Sequence, residues 1–183
     1  MRVLLLVCLP PCLAQTWLRN DFTASFRYEV KLGHNSYYLN NASGYGVSYA
    51  YRPVRWLALD IGMEQIPRPV GHSVCCEYLD NANDELFLVP FGARYVWERE
   101  RIRFATGGGG AYLNHAIGHE YLPDLLTSAS GWGVQGVGGA NIAVGRSGRL
   151  RVGLTGRYYF ARVNRYVTAR IFTIGPDFTF SLR

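Results

Sequence analysis

The chain is poor in charge and has almost no lysine. Charged residues make up 17% of its 183 residues, and Lys31 is the only lysine. About a quarter is usual for a soluble domain, so an ordinary charged surface is excluded. Disorder is excluded as well, because it needs high charge and few aromatics, and aromatics here reach 14%. Beyond the first residues no stretch approaches the roughly 18 apolar residues of a membrane helix, so any membrane insertion has to use strands. Cysteine is scarce. Only Cys75 and Cys76 lie beyond the N-terminal segment, which leaves no disulfide framework. The abundant residues are 21 glycines and 13 tyrosines, which are poor or middling helix formers. The formal charge is +6, but the basic residues are scattered, often at turns. A nucleic-acid binder would gather them on one face or in one run, so no nucleic-acid partner is expected.

The N-terminus has the layout of an export signal. Arg2 supplies a basic start, an apolar stretch follows over 3–9, and Pro10-Pro11 breaks it. Cys12-Leu13-Ala14 then places small residues where a signal peptidase reads them, so cleavage is expected before Gln15. Residues 1–14 are read as the signal peptide and 15–183 as one domain. Bulky Val7 before Cys8 and Pro11 before Cys12 disfavour lipid attachment at either cysteine.

The remaining sequence alternates with a period of two, the signature of strands with two different faces. Eight are expected: 20–28, 44–51, 55–65, 85–97, 102–112, 131–144, 150–160 and 169–182. Pro53 is expected to enforce the turn after the second. In the third strand Leu57, Leu59, Ile61 and Met63 oppose Ala58, Asp60, Gly62 and Glu64. In the last, Phe172, Ile174, Phe178, Phe180 and Leu182 oppose Thr173, Gly175, Asp177, Thr179 and Ser181. Most segments have the roughly 9–11 residues that cross a bilayer at a tilt. Tight connections near residues 52–54, 98–100 and 146–148 alternate strictly with long ones over 30–43, 66–84, 113–129 and 161–167. That is the rhythm of an up-and-down membrane barrel, with short turns on the periplasmic side and long loops outside.

The polar face carries small residues and isolated charges, and the other is nearly unbroken Tyr, Phe, Val, Ile and Leu. Were the apolar face inside, the barrel would be a lipocalin-like carrier with an outer surface rich in Lys, Glu and Asp. The polar face is instead Gly, Ala, Ser and Thr, which lets a narrow barrel close. The apolar face is therefore expected to meet lipid. Tyr51, Trp56, Tyr95 and Trp97 crowd the short turns, while Tyr37, Tyr38, Tyr45, Tyr112, Trp132 and Tyr158 lie toward the long loops. Two such belts match the interfacial preference of Trp and Tyr. An eight-stranded barrel is just filled by its side chains. Asp60, Glu64, Arg94, Arg157 and Asp177 are accordingly expected to form a luminal network of paired charges rather than to line a pore.

Other constellations carry weak chemistry. The run Gly107 to Gly110 is followed by no Gly-Lys-Ser/Thr, so it reads as a strand needing small residues rather than a phosphate loop. His115, His119 and Glu120 are weak metal candidates, in a loop and with Gly118 between the histidines. No catalytic residue, cofactor or metal is expected. Cys75 and Cys76 are adjacent, and a bridge between neighbours would be strained and redox-labile.

The whole expected mature chain resembles the small outer-membrane β-barrel proteins of the OmpA-transmembrane, OmpX and OmpW type. The resemblance rests on the signal peptide, on Leu88-Val89-Pro90-Phe91-Gly92-Ala93-Arg94-Tyr95, on the strand from Arg103 through the four glycines to Tyr112, and on Phe178-Thr179-Phe180-Ser181-Leu182. Family members usually end on an aromatic residue, whereas this chain ends Leu182-Arg183. The resemblance implies a bacterial outer-membrane protein without enzymatic activity, structural or acting through surface loops in adhesion or ligand contact. It implies outer-membrane lipid, lipopolysaccharide, the barrel-assembly machinery and periplasmic chaperones as partners. Three alternatives stand beside it. One is OmpW-like passage of small or apolar solutes. Another is a lipid-modifying enzyme, for which His34-Asn35-Ser36 is a His-x-Ser sequence at the wrong position. The third is the soluble lipocalin-like carrier.

Overall fold

A computed structural model describes residues 18–31, 42–69, 82–119, 127–162 and 168–183. Their regular elements are eight strands: β1 (Asn20–Lys31), β2 (Ser43–Val54), β3 (Leu57–Pro69), β4 (Ala82–Arg99), β5 (Ile102–His119), β6 (Thr127–Val144), β7 (Leu150–Arg162) and β8 (Thr168–Leu182). Each pairs antiparallel with the next and β8 returns to β1, closing a barrel in sequence order. Closure satisfies the edge groups that an open sheet would leave unpaired. The start of β1, the end of β8 and three tight turns share one rim, here the turn end. The other rim, here the connection end, launches the four longer connections.

Period-two alternation governs every strand. In β2 the burial pattern alternates over most of the strand, with Tyr45, Val47, Tyr49 and Tyr51 outward and Gly44, Gly46 and Ala50 inward. On β7 the outward positions are Leu150, Val152, Leu154, Gly156, Tyr158 and Phe160, and on β8 they include Phe178, Phe180 and Leu182. Large apolar side chains are thus exposed all round the barrel, with Trp132 at 67% and Val134 at 60%. Aromatic contacts cluster at both rims of this band. Trp56 meets Tyr95 at 6.4 Å and Trp97 meets Phe104 at 5.5 Å near the turn end, whereas Tyr112 meets Trp132 at 5.1 Å toward the connection end. Tyr37 and Tyr38 lie outside the described residues.

Two boundaries differ from the sequence expectation. Pro53 does not form the second turn. It lies within β2 at a register shift between Tyr51 and Val54, and Arg55-Trp56 make the turn. Proline cannot donate to the ladder and is tolerated at such a bulge. The strands also run further toward the connection end. Pairing of β4 with β5 continues past Leu88–Leu113 to Ala82–His119, so the third long connection begins after His119 rather than near Tyr112.

The glycine run is a strand interior. A Cβ at Gly107 would lie 2.1 Å from the Ala93 carbonyl oxygen, and one at Gly109 2.1 Å from that of Phe91. Both positions face inward where β4 and β5 approach closely. The β6–β7 turn uses Gly145 and Gly148 at φ of 78° and 64°, where a side chain would be strained.

The seam between first and last strand is interrupted. Asn20–Ser25 pair with Leu182–Asp177, and pairing resumes with Tyr28 opposite Ile174. Gly175 and Pro176 occupy the gap, and Pro176 has no N–H to offer.

Candidate functional site

The inward face converges on the lumen, where the side chains sort into three tiers. The middle tier is a chain of alternating charge. Arg27 Nη1 lies 3.0 Å from Asp177 Oδ1, and its Nε donates to Glu64 Oε1 at 3.0 Å. Glu64 Oε1 also lies 3.3 Å from Arg157 Nε, and Arg157 Nη2 donates to Asp60 Oδ2 at 3.4 Å. Asp60 Oδ1 in turn lies 3.5 Å from Arg94 Nε. Three guanidinium groups thus face three carboxylates. Thr173 Oγ1 donates to Glu64 Oε2 at 3.1 Å, and Arg27 Nη1 donates to the Thr155 carbonyl at 3.2 Å. Burial makes such an array costly to assemble and more costly to break, because removing one partner strands the other.

The turn-end tier centres on Glu98. Its carboxylate meets Arg52 at 3.2 Å, Arg103 at 3.5 Å and Arg151 in close contact. Arg103 Nη1 donates to Asp21 Oδ2 at 2.9 Å, and Ser181 donates to Asp21 Oδ1. Three arginines here face two carboxylates.

The connection-end tier is mostly apolar, with Glu29 and His115 also buried at this end. Ile66, Leu86, Leu88, Leu113, Tyr159 and Ile171 pack into one buried cluster with Ala42, Ala111 and Ala161. Polar and charged residues fill only part of the inward face, whereas the sequence reading placed small residues and isolated charges there and foresaw no large apolar cluster. The local reason is that β4 reads Leu86-Phe87-Leu88-Val89, apolar on both faces, so two leucines point in while Phe87 and Val89 turn out. Between the middle and turn-end tiers lies a cavity of about 20 Å³ touching Arg27, Arg94, Arg157, Asn141 and Asp177. It has room for a single water molecule.

The five luminal charges singled out from sequence, Asp60, Glu64, Arg94, Arg157 and Asp177, all sit in the middle tier. Arg27, the residue joining Glu64 to Asp177, was missed, as were Asp21, Arg52, Glu98 and Arg103; Arg151, which alternation with Leu150 and Val152 puts on the polar face, was left out of the network. The signal was available for Asp21 and Arg27, which share the period of Thr23 and Ser25 in β1. Arg52 was hidden by placing the turn at Pro53, and Glu98 by ending β4 at Trp97. His115 is not in a loop. It faces inward from β5, is buried, and pairs in register with Leu86. His119 is the last residue of β5, while Glu120, His34, Ser36, Cys75 and Cys76 lie outside the described residues. Among the described residues no three His, Cys, Asp or Glu side chains gather as a metal site.

The geometry, a closed antiparallel ring of eight sequential strands, recurs in solved structures. The fold is that of the small outer-membrane barrels. Neisserial surface protein A matches with a TM-score of 0.60 at 13% identity, over 90% of this chain and 96% of that one. Ail, the attachment invasion locus protein of Yersinia pestis, solved with the heparin analogue sucrose octasulfate, matches at 0.59 and 13%, over 89% and 99%. The N-terminal barrel domain of Pseudomonas aeruginosa OprF matches at 0.55 and 13%, over 89% and 98%. No family model and no curated protein matches the chain.

Proposed function

We propose that the protein is a bacterial outer-membrane barrel that neither conducts nor catalyses, and that it holds its four long connections at the cell surface as a contact face for adhesion or ligand binding. Export follows cleavage before Gln15, the turn end faces the periplasm and the connection end faces outward. The filled lumen carries this reading. Among the described residues, two tiers of ion pairs and a mostly apolar plug fill the inward face, and the cavity between the tiers has room for about one water. Passage of apolar solutes would need an opening where Leu86, Leu88 and Leu113 are packed at no more than 2% exposure. A lipocalin-like carrier would need an apolar chamber and a charged exterior, and the faces have the opposite character. Loops held on a rigid scaffold are where binding normally resides.

Fractionation and planar-bilayer recording test the reading together. The protein is expected in the detergent-soluble outer-membrane fraction, with a heat-modifiable mobility on electrophoresis and without stable current steps. Recovery from the periplasm without detergent would refute the membrane assignment. Reproducible unitary conductance from the purified protein would refute the closed pillar.

A further inference from the structure

The arginines that look scattered in sequence converge on one rim. Arg19 precedes β1, Arg55 sits in the β2–β3 turn, Arg99 and Arg101 flank the β4–β5 turn, and Arg146 and Arg149 belong to the β6–β7 turn; all six are exposed. Glu100 is the one acidic side chain exposed among them. The buried tier just inside does not offset this charge, since Arg52, Arg103 and Arg151 outnumber Asp21 and Glu98. The middle tier is balanced, three against three. The described connection end differs, with Glu85 exposed as well as Arg162 and Arg170.

We propose that this rim is a collar that binds the phosphates of anionic phospholipid headgroups in the adjoining leaflet; the inference rests on the membrane reading above. Depth supports it. Tyr51, Trp56, Tyr95 and Trp97 form the belt immediately inside the collar, and such aromatics mark the headgroup boundary. The arginines therefore lie at phosphate level. Reach supports it too. Two residues separate β2 from β3 and two separate β4 from β5, so these turns end flush with the interface and do not extend toward a distant partner. Side-chain chemistry also fits. Every collar cation is arginine, whose planar fork binds phosphate through two parallel hydrogen bonds, which an ammonium cannot match. Each basic residue near an anionic lipid surface contributes attraction of the order that sorts lipids locally.

Brominated lipids in nanodiscs provide the test. A background carrying Trp17→Phe and Trp132→Phe leaves emission from Trp56 and Trp97, both beside the collar. Discs of zwitterionic phosphatidylcholine receive the same small share of brominated lipid, either phosphatidylglycerol or phosphatidylcholine. The brominated phosphatidylglycerol is expected to quench as though enriched about five-fold at the rim. High salt should erase the difference, because exposed charges are screened. Arg55→Gln, Arg99→Gln, Arg146→Gln and Arg149→Gln combined should also erase it, with folding verified by heat-modifiable mobility. If the combined variant fails to fold, the two paired variants, 55 with 99 and 146 with 149, should each lose part of the preference. Arg162→Gln with Arg170→Gln at the opposite rim should leave it intact. Equal quenching by both lipids in the parent protein overturns the collar, as does a preference that survives in the four-arginine variant. Collar-dependent retention on peptidoglycan sacculi without lipid preference would reassign the rim to the cell wall. Absence of quenching by either lipid would overturn the membrane reading itself.

Discussion

Glu64 is the hub of the middle tier, and its replacement by glutamine tests whether the lumen is held by charge balance. The side chain keeps its size and its hydrogen-bonding capacity toward Thr173. What it loses is the charge that faces Arg27 at 3.0 Å and Arg157 at 3.3 Å. Three buried guanidinium groups would then face two carboxylates. Stranding a buried charge in this way costs about 3–5 kcal/mol. Equilibrium urea unfolding in phospholipid vesicles should show the loss as a lower midpoint at an unchanged slope. A second substitution, Arg157→Gln, removes the surplus charge and restores balance at two against two. The double variant should recover most of the lost stability, so the double-mutant cycle should yield a coupling of about 2–3 kcal/mol. Arg94 stands at the end of that array, its side chain is 17% exposed and its one ion pair among the described residues is with Asp60, so Arg94→Gln should cost less than Glu64→Gln. A Glu64→Gln protein within about 1 kcal/mol of the parent, or a double variant weaker than both singles, would refute the argument that these charges act as one balanced array.

Two further substitutions probe the wall. A Cβ at Gly109 meets the Phe91 carbonyl oxygen at 2.1 Å, whereas one at Gly138 meets nothing within 4 Å. Gly109→Val should therefore abolish the heat-modifiable folded band and Gly138→Ala should leave it unchanged; the reverse order would show that the closeness of β4 and β5 is not what demands glycine. Leu154 points outward at 52% exposure from the middle of β7. Leu154→Arg should cost about 2–4 kcal/mol when unfolding is measured in a bilayer, and no cost there would mean that this face does not meet hydrocarbon.

Architecture was largely legible in the sequence, because each strand has one face that must be apolar and one that must be small or polar, and a two-residue period shows both. The limits of that signal were local. At Leu86-Phe87-Leu88-Val89 alternation sets Phe87 and Val89 against Leu88 and Pro90, but with both faces apolar it does not show that the inward leucines gather into a tier. Where a strand continues past its apolar band, as at Asn114 and His115, the polar outward residue reads as loop and the pairing is missed. Pro53 looked like a turn because its lack of an N–H is the usual mark of one, and a bulge tolerates that lack equally well. Pairing across the lumen was the least legible of all. Arg27 and Glu64 meet across 37 residues, and Asp60 and Arg157 across 97, distances that no periodicity connects. The convergence of six arginines on one rim has the same origin, since only the up-and-down topology brings those turns together.

The interrupted seam bears on the order of assembly. Seven of the eight ladders join consecutive strands and can form as hairpins while the chain is still open. The eighth joins residues as distant as Asp21 and Ser181, 160 apart in sequence, so it alone carries the long loop-closure entropy. Gly175 and Pro176 divide it into two short runs of pairing, with Arg27 and Asp177 joined across the break. The ring should therefore close last at β1 and β8. That makes the Arg27–Asp177 pair a latch whose strength sets the lifetime of the closed barrel more than it sets the speed of folding.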